Sequence, residues 1–184
     1  MTTERRFCRF TRTAEGHPFG LRWEEPGGLC PSTFLLLGQA RRPTSILVGR
    51  LNPKAPRDHL EGLDAERVEA HRGGWLLPAS HLLHRETPDE SARRILDEML
   101  GGARPSLEPA RVVSEVSTPR RFPETHNHGD ISFLYRGTLS ASPPSVPTVW
   151  DDLRSVDVRA ARRSEFARSH EEVLESVGLA VERP

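Results

Sequence analysis

One segment near the middle of the chain, residues 86–101, carries the signals of a complete helix. Thr87 is a residue type that caps helices, Pro88 suits the first helical position, and Glu90 stands three residues after the cap. Together they form a capping box, and Gly101 follows as a helix stop. The segment predicts an amphipathic helix that must be packed against a core, because its apolar residues fall at the spacing of one helical face. Those residues are Ala92, Ile95, Leu96, Met99 and Leu100.

Apolar runs bounded by turn residues predict strands on both sides of this helix. Residues 32–38 and 44–51 predict a hairpin, with its turn at residues 41–43. The other predicted elements are strands at residues 110–116 and 131–139, a short strand or turn at 149–158, a last helix at 163–177, and either a short helix or an ordered loop at 59–71. Strands around a capped helix, followed by a second helix, predict a mixed sheet covered on both faces.

The length of 184 residues suits one domain with a proper core. We therefore predict a single domain over residues 1–184. Residues 1–31 would form an N-terminal extension or short strands, and residues 178–184 a flexible tail.

Charge and cysteine content exclude several classes of protein. The chain has 26 Lys+Arg and 26 Asp+Glu, so we expect no bulk nucleic-acid binding of the kind that rests on a basic excess. No stretch approaches the roughly 20 apolar residues that cross a bilayer, and the polar N-terminus does not look like a signal peptide. Two cysteines, Cys8 and Cys30, make no disulfide framework. These features favour a cytoplasmic protein, and the arginine-rich composition is typical of a GC-rich bacterial genome.

Residues 80–102 resemble the signature box of the Nudix family, whose members cleave nucleoside diphosphates linked to another group. The family pattern is Gly, five residues, Glu, seven residues, Arg-Glu, an aliphatic residue, any residue, Glu-Glu, any residue and Gly. Glu86, Arg94, Glu98 and Gly101 match four of its seven fixed positions in register. The frequent lead-in Trp-x-Leu-Pro is also present, as Trp75, Leu77 and Pro78. The resemblance implies an α/β fold, a Nudix-like α/β/α sandwich with a mixed β-sheet.

Three fixed positions of the box depart from the family pattern. Ser80 replaces the first Gly, Ile95 the Glu after Arg94, and Met99 the second Glu of the pair. In the family, the box glutamates lie on one helix face and share the magnesium ions that bridge the pyrophosphate. Ile95 and Met99 have no oxygen to offer this hard ion. The resemblance therefore leaves Glu98 as the candidate catalytic residue and metal ligand, with Mg²⁺, or alternatively Mn²⁺, as the cofactor.

Three box residues that match the family pattern, Glu86, Arg94 and Gly101, are expected to have a structural role. We interpret Glu86 and Arg94 as an ion pair that fastens the loop to the helix, with Gly101 ending that helix. Glu98 has two interpretations, a metal ligand near a cleft or a solvated residue paired with Arg94. Ile95 and Met99 are expected to be buried, because they widen the apolar stripe.

Four further residues are candidates for ligand binding. Trp75 is suited to stack on a base, although a core tryptophan is an equal alternative. Ser80 stands where the loop would approach a phosphate. His126 and His128 are candidates to contact a ligand in the cleft, and the alternative for both is a polar loop. The carboxylates outside the box that would complete a metal site are Glu115, Glu124, Asp130, Asp151 and Asp152.

Two functions remain open at this point. The first is a hydrolase of nucleoside diphosphate-linked compounds whose activity is weak or lost, because Ile95 and Met99 replace glutamates. The alternative is a non-catalytic Nudix module that binds a nucleotide or a protein. The expected partner is a small nucleotide-like ligand, with a protein partner or a homodimer as further alternatives and no membrane.

Overall fold

The computed structural model describes residues 27–40, 42–55, 69, 73–117, 127–140 and 148–179. Its strands are β1 (Gly27–Gln39), β2 (Arg42–Leu51), β3 (Ala79–His81), β4 (Leu107–Ser117), β5 (Asn127–Leu139) and β6 (Trp150–Asp157). Its α-helices in this part of the chain are α1 (Pro88–Met99) and α2 (His170–Ser176). The predictions for residues 1–26, for most of 59–71 and for His126 lie outside the described residues.

The strands form one mixed sheet in the order β4-β5-β1-β2-β6. β1 and β5 run parallel over their whole length, and the other pairs are antiparallel. Along its other edge, β1 pairs with β3 at residues 32–34 and with β2 at residues 38–39. The predicted hairpin of β1 and β2 is therefore confirmed, and the segment that leads into the box enters the sheet beside it.

Both faces of the sheet are covered. Leu35, Leu36 and Leu37 are consecutive and all fully buried, as expected for a central strand with a core on each side. Leu35 and Leu37 belong to the core under α1, whereas Leu36 belongs to the core that includes Leu174 of α2. The predicted α/β/α sandwich with a mixed sheet is confirmed.

Helix α1 follows its sequence signals closely. The Thr87 side chain accepts a hydrogen bond from the Glu90 backbone, and the Glu90 carboxylate accepts one from the Thr87 N–H at 2.9 Å. The hydrogen bonds that the Glu90 carboxylate accepts from the Thr87 N–H and the Thr87 hydroxyl lower the pKa of Glu90. The predicted stripe is buried, and Gly101 and Gly102 have φ of 61° and 77°, the left-handed values that end a helix.

The predicted last helix at residues 163–177 is wrong in its first half. A 3-10 turn occupies Arg163–Glu165, and α2 begins only at His170. Trp75 is the physical reason, since its N–H donates to Glu165 O at 2.7 Å and its carbonyl accepts from Ala167 N at 3.1 Å. Phe166 is thus extended alongside Trp75, and a helix cannot continue through it.

Gly49 of β2 allows a tryptophan to pack against the sheet. A Cβ built on Gly49 would lie 2.3 Å from Cε3 of Trp150, closer than any real contact. Trp150 is buried and donates from Nε1 to the carbonyl of Met99 at 2.7 Å, so it connects β6 to the end of α1.

We predict that Gly49→Ala destabilises the fold, because the new methyl group forces Trp150 out of its position. Overpacking of this kind costs about 1–3 kcal/mol. Equilibrium unfolding in denaturant measures the loss. Gly73→Ala is the matched control, since a Cβ there meets nothing within 4 Å. Equal stability of the two variants would contradict the packing described for Trp150.

Candidate functional site

Arg94 of α1 holds the loop that precedes the helix. Its Nε donates to Glu86 Oε1 at 2.7 Å and its Nη2 donates to Glu86 Oε2 at 2.9 Å, a bidentate pair. Glu86 Oε2 also accepts from the N–H of Leu83 at 2.8 Å, which closes the loop on itself. The two charged side chains are only 13% and 10% exposed. The ion pair predicted from the box is present and largely desolvated.

The same guanidinium also reaches strand β3. Arg94 Nη1 donates to Ser80 Oγ at 3.1 Å, and Nη2 donates to the carbonyl of His81 at 3.0 Å. Because β3 pairs with β1 in the centre of the sheet, these bonds fix α1 relative to the sheet as well as to its own loop. We call the contacts of Arg94 with Glu86, Ser80 and His81 the clasp.

The box pattern places carboxylates at positions 95, 98 and 99 on one face of α1. In this chain the three positions have different surroundings. Ile95 and Met99 are 0% and 6% exposed and belong to the core between α1 and the sheet, as predicted. The Glu98 side chain is 20% exposed, and its Oε2 lies 3.7 Å from Arg94 Nη1. Position 98 therefore carries the one carboxylate of this face, and it extends the clasp.

A polar cavity of about 430 Å³ lies on the other face of the sheet, beneath α2. Its walls come from β1, β3, β4, β5 and the segment that starts α2. Three carboxylates, two histidines and one arginine are among its lining residues: Glu115, Asp130, Glu172, His81, His170 and Arg168. We call it the acidic cavity.

Hydrogen bonds hold both histidines of the acidic cavity in place. His81 Nδ1 lies 2.7 Å from Ser32 Oγ. His170 Nδ1 accepts from the N–H of Leu77 at 2.8 Å, which puts the imidazole proton on Nε2. The His170 ring packs edge-on against Phe34, with the ring centroids 5.2 Å apart. The cavity thus has a fixed polar wall next to an aromatic side chain.

A second cavity, of about 420 Å³, lies between α1 and the β4–β5 edge. At its floor, the hydroxyl of Tyr135 donates a hydrogen bond to Asp89. Burial, that hydrogen bond and the negative charge of Asp89 raise the pKa of Tyr135 to about 12. Glu98 lines neither this cavity nor the acidic cavity.

Comparison with solved structures identifies the fold. An Escherichia coli dihydroneopterin triphosphate pyrophosphohydrolase superposes with a TM-score of 0.54 at 14% identity, over 82% of this chain and 96% of that one. A MutT Nudix hydrolase from Burkholderia pseudomallei gives a TM-score of 0.52 at 15% identity, over 81% and 98% of the two chains. This chain has the Nudix fold. Its sequence matches no protein-family model and no curated protein.

The residues present do not fit the magnesium site that the Nudix box pattern implies. Two of the three positions on the expected carboxylate face carry buried apolar side chains, and the third carboxylate is beside a guanidinium. Within the described part of the chain, no group of three or more His, Cys, Asp or Glu side chains is arranged to hold a metal ion. A hard divalent cation needs several oxygen ligands at once, and the box face of this Nudix fold offers one.

The predicted ligand-binding residues of this Nudix fold do not share one site. Trp75 is buried in the core beneath α2, with the guanidinium groups of Arg50 and Arg154 at 4.2 and 4.6 Å from its ring. Ser80 is buried in the clasp. The backbone of His128 belongs to β5, whereas its side chain, like all of His126, lies outside the described residues.

The sequence did not predict that the residues of the acidic cavity lie together in one place. From the sequence, Asp130 is given only as a candidate metal ligand. One signal was available, the alternation of His126, His128 and Asp130, which would share one face of an extended segment. Nothing local in the sequence shows that Asp130 stands opposite Glu115 across β4 and β5, or that His170 comes to the same place.

The described part of the Nudix fold has no helix that is both long enough and apolar enough to span a bilayer.

We predict that Tyr135, the only tyrosine of the chain, titrates near pH 12 in the folded protein, against its ordinary value of 10. Because the pKa is raised on folding, the associated stabilisation is complete below about pH 10 and is lost as the pH rises towards 12. Tyrosinate absorbance measures the midpoint, with circular dichroism to confirm that the chain stays folded.

Asp89→Asn should lower this midpoint, because it removes the charge that opposes ionisation. Asp97→Asn is the control, since Asp97 lines the same cavity but pairs with Arg104 at 2.6 Å. A wild-type midpoint near pH 10 in the folded protein would rule out the contact between Tyr135 and Asp89.

Proposed function

We propose that this chain binds a nucleotide-like small molecule in the acidic cavity and has little or no magnesium-dependent pyrophosphohydrolase activity at its box. The burial of Ile95 and Met99 is the observation that supports little or no magnesium-dependent activity at the box. Both side chains are part of the core under α1, so that face of the helix packs against protein instead of facing a substrate.

The chemistry of the acidic cavity supports the first half. Its volume of about 430 Å³ is in the range of small-molecule sites. The half-buried Phe34 provides apolar surface for a planar ring, and Asp130 and Glu115 provide acceptors for ring N–H and amino groups. Three carboxylates and one arginine make the lining acidic. We therefore assign the cavity to the heterocyclic end of the ligand and not to its phosphates.

One of the proteins that share this fold supports the choice of a nucleotide-like ligand. The Escherichia coli protein that shares this fold is, by its name, a pyrophosphohydrolase of dihydroneopterin triphosphate. A heterocycle carrying phosphates is thus an appropriate probe for this chain. Cleavage is a separate property, because it depends on the box carboxylates, which this chain replaces at positions 95 and 99.

We predict that purine nucleoside diphosphates and triphosphates bind to the protein without added metal, and that Asp130→Asn weakens binding about tenfold or more. A hydrogen bond to a charged group contributes about 1.5–3 kcal/mol, and tenfold corresponds to about 1.4 kcal/mol. Isothermal titration calorimetry measures the affinities. Asp151→Asn is the matched control, because Asp151 is exposed on β6 and does not line the cavity.

The same protein and nucleotides, assayed with Mg²⁺ or Mn²⁺, should show no turnover that depends on Glu98. Metal-dependent cleavage that Glu98→Gln abolishes would establish a divergent hydrolase and overturn this part of the proposal. Absence of binding across the nucleotide panel would overturn the other part. The two outcomes are independent, since one measures cleavage and the other affinity.

A further inference from the structure

Strand β4 forms one edge of the sheet. It spans 11 residues, and within the described part of the chain it pairs only with β5. Arg111, Ser114 and Glu115 are exposed along it, and Val112 is 61% exposed. A long edge strand with an exposed apolar side chain is a template for pairing with another strand, since its outer N–H and C=O groups lack a ladder.

The charges of β4 are self-complementary about Val113. Arg111 and Glu115 lie two residues before and two residues after it, so all three side chains point to the same face of the strand. Consistent with this, Val113 and Glu115 both line the acidic cavity, and Arg111 donates to the carbonyl of Ser176 in α2.

From this symmetry we propose that a second copy of this chain pairs with β4 in antiparallel orientation, with Val113 opposite the partner's Val113. In that register Arg111 stands opposite the partner's Glu115, and Glu115 stands opposite the partner's Arg111. Two cross-strand ion pairs form, and opposite charges directly across a strand pair stabilise it.

The competing register is centred on Val112. It places Arg111 opposite the partner's Val113 and Glu115 opposite the partner's Pro109, so it forms no ion pair. The charges therefore select the register centred on Val113. In it, Val112 and the partner's Val112 are diagonal neighbours on the other face, where their exposed side chains are close enough to interact.

Analytical ultracentrifugation of the full chain over a wide concentration range tests the proposal. We expect a reversible monomer–dimer equilibrium in the wild type. Arg111→Glu and Glu115→Arg, taken singly, each put like charges at both symmetric positions and should raise the dimer dissociation constant at least about tenfold. The double variant restores opposite charges and should return the constant close to the wild-type value.

Two further variants complete the test, and circular dichroism checks the folding of each. Val112→Lys should weaken the dimer by bringing two lysines close together, independently of Arg111 and Glu115. Arg159→Glu reverses an exposed charge away from β4 and should leave the dimer unchanged. A wild type that stays monomeric at all concentrations overturns the proposal. So does a double variant as weak as the single variants, because that result places the interface in another register or on another surface.

Discussion

The rest of the structure depends on the hydrogen bonds that the guanidinium of Arg94 donates. It binds Glu86 with two hydrogen bonds, and it also reaches the Ser80 hydroxyl and the carbonyl of His81. One side chain thereby fixes a loop, a helix and the short strand β3, which pairs with the central strand β1. Because the pair is largely buried, loss of either charge leaves the other without compensation, which costs about 3–5 kcal/mol in buried ion pairs.

The clasp also determines which side of α1 faces the sheet. With Arg94 held at the loop, Ile95 and Met99 point into the core, where a methionine and an isoleucine pack well and two carboxylates would not. The residues that match the box pattern make contacts that build the fold, whereas Ile95 and Met99 offer no oxygen to a metal ion. The cavity beneath α2 is lined by three carboxylates, two histidines and one arginine.

The fold was largely predictable because its decisive signals are local. The capping box, the apolar stripe and the spacing of Glu86 and Arg94 lie within a few turns of one helix, and the structure confirms all three. The acidic cavity was not predictable, since its residues come from five separate segments that only the sheet topology brings together. The last helix was predicted too long for the same reason. Its periodicity is local, whereas the pairing with Trp75 that interrupts it spans half the chain.

A double-mutant cycle on Glu86→Gln and Arg94→Met tests the central claim most directly. The free energy of unfolding is measured for the wild type, both single variants and the double variant. If the clasp organises the box, the two substitutions are strongly coupled, with an interaction energy of at least about 1.5 kcal/mol, in the range seen for residues in one buried network. Additivity within about 0.5 kcal/mol would show that the two residues act independently, and it would contradict the role assigned to Arg94.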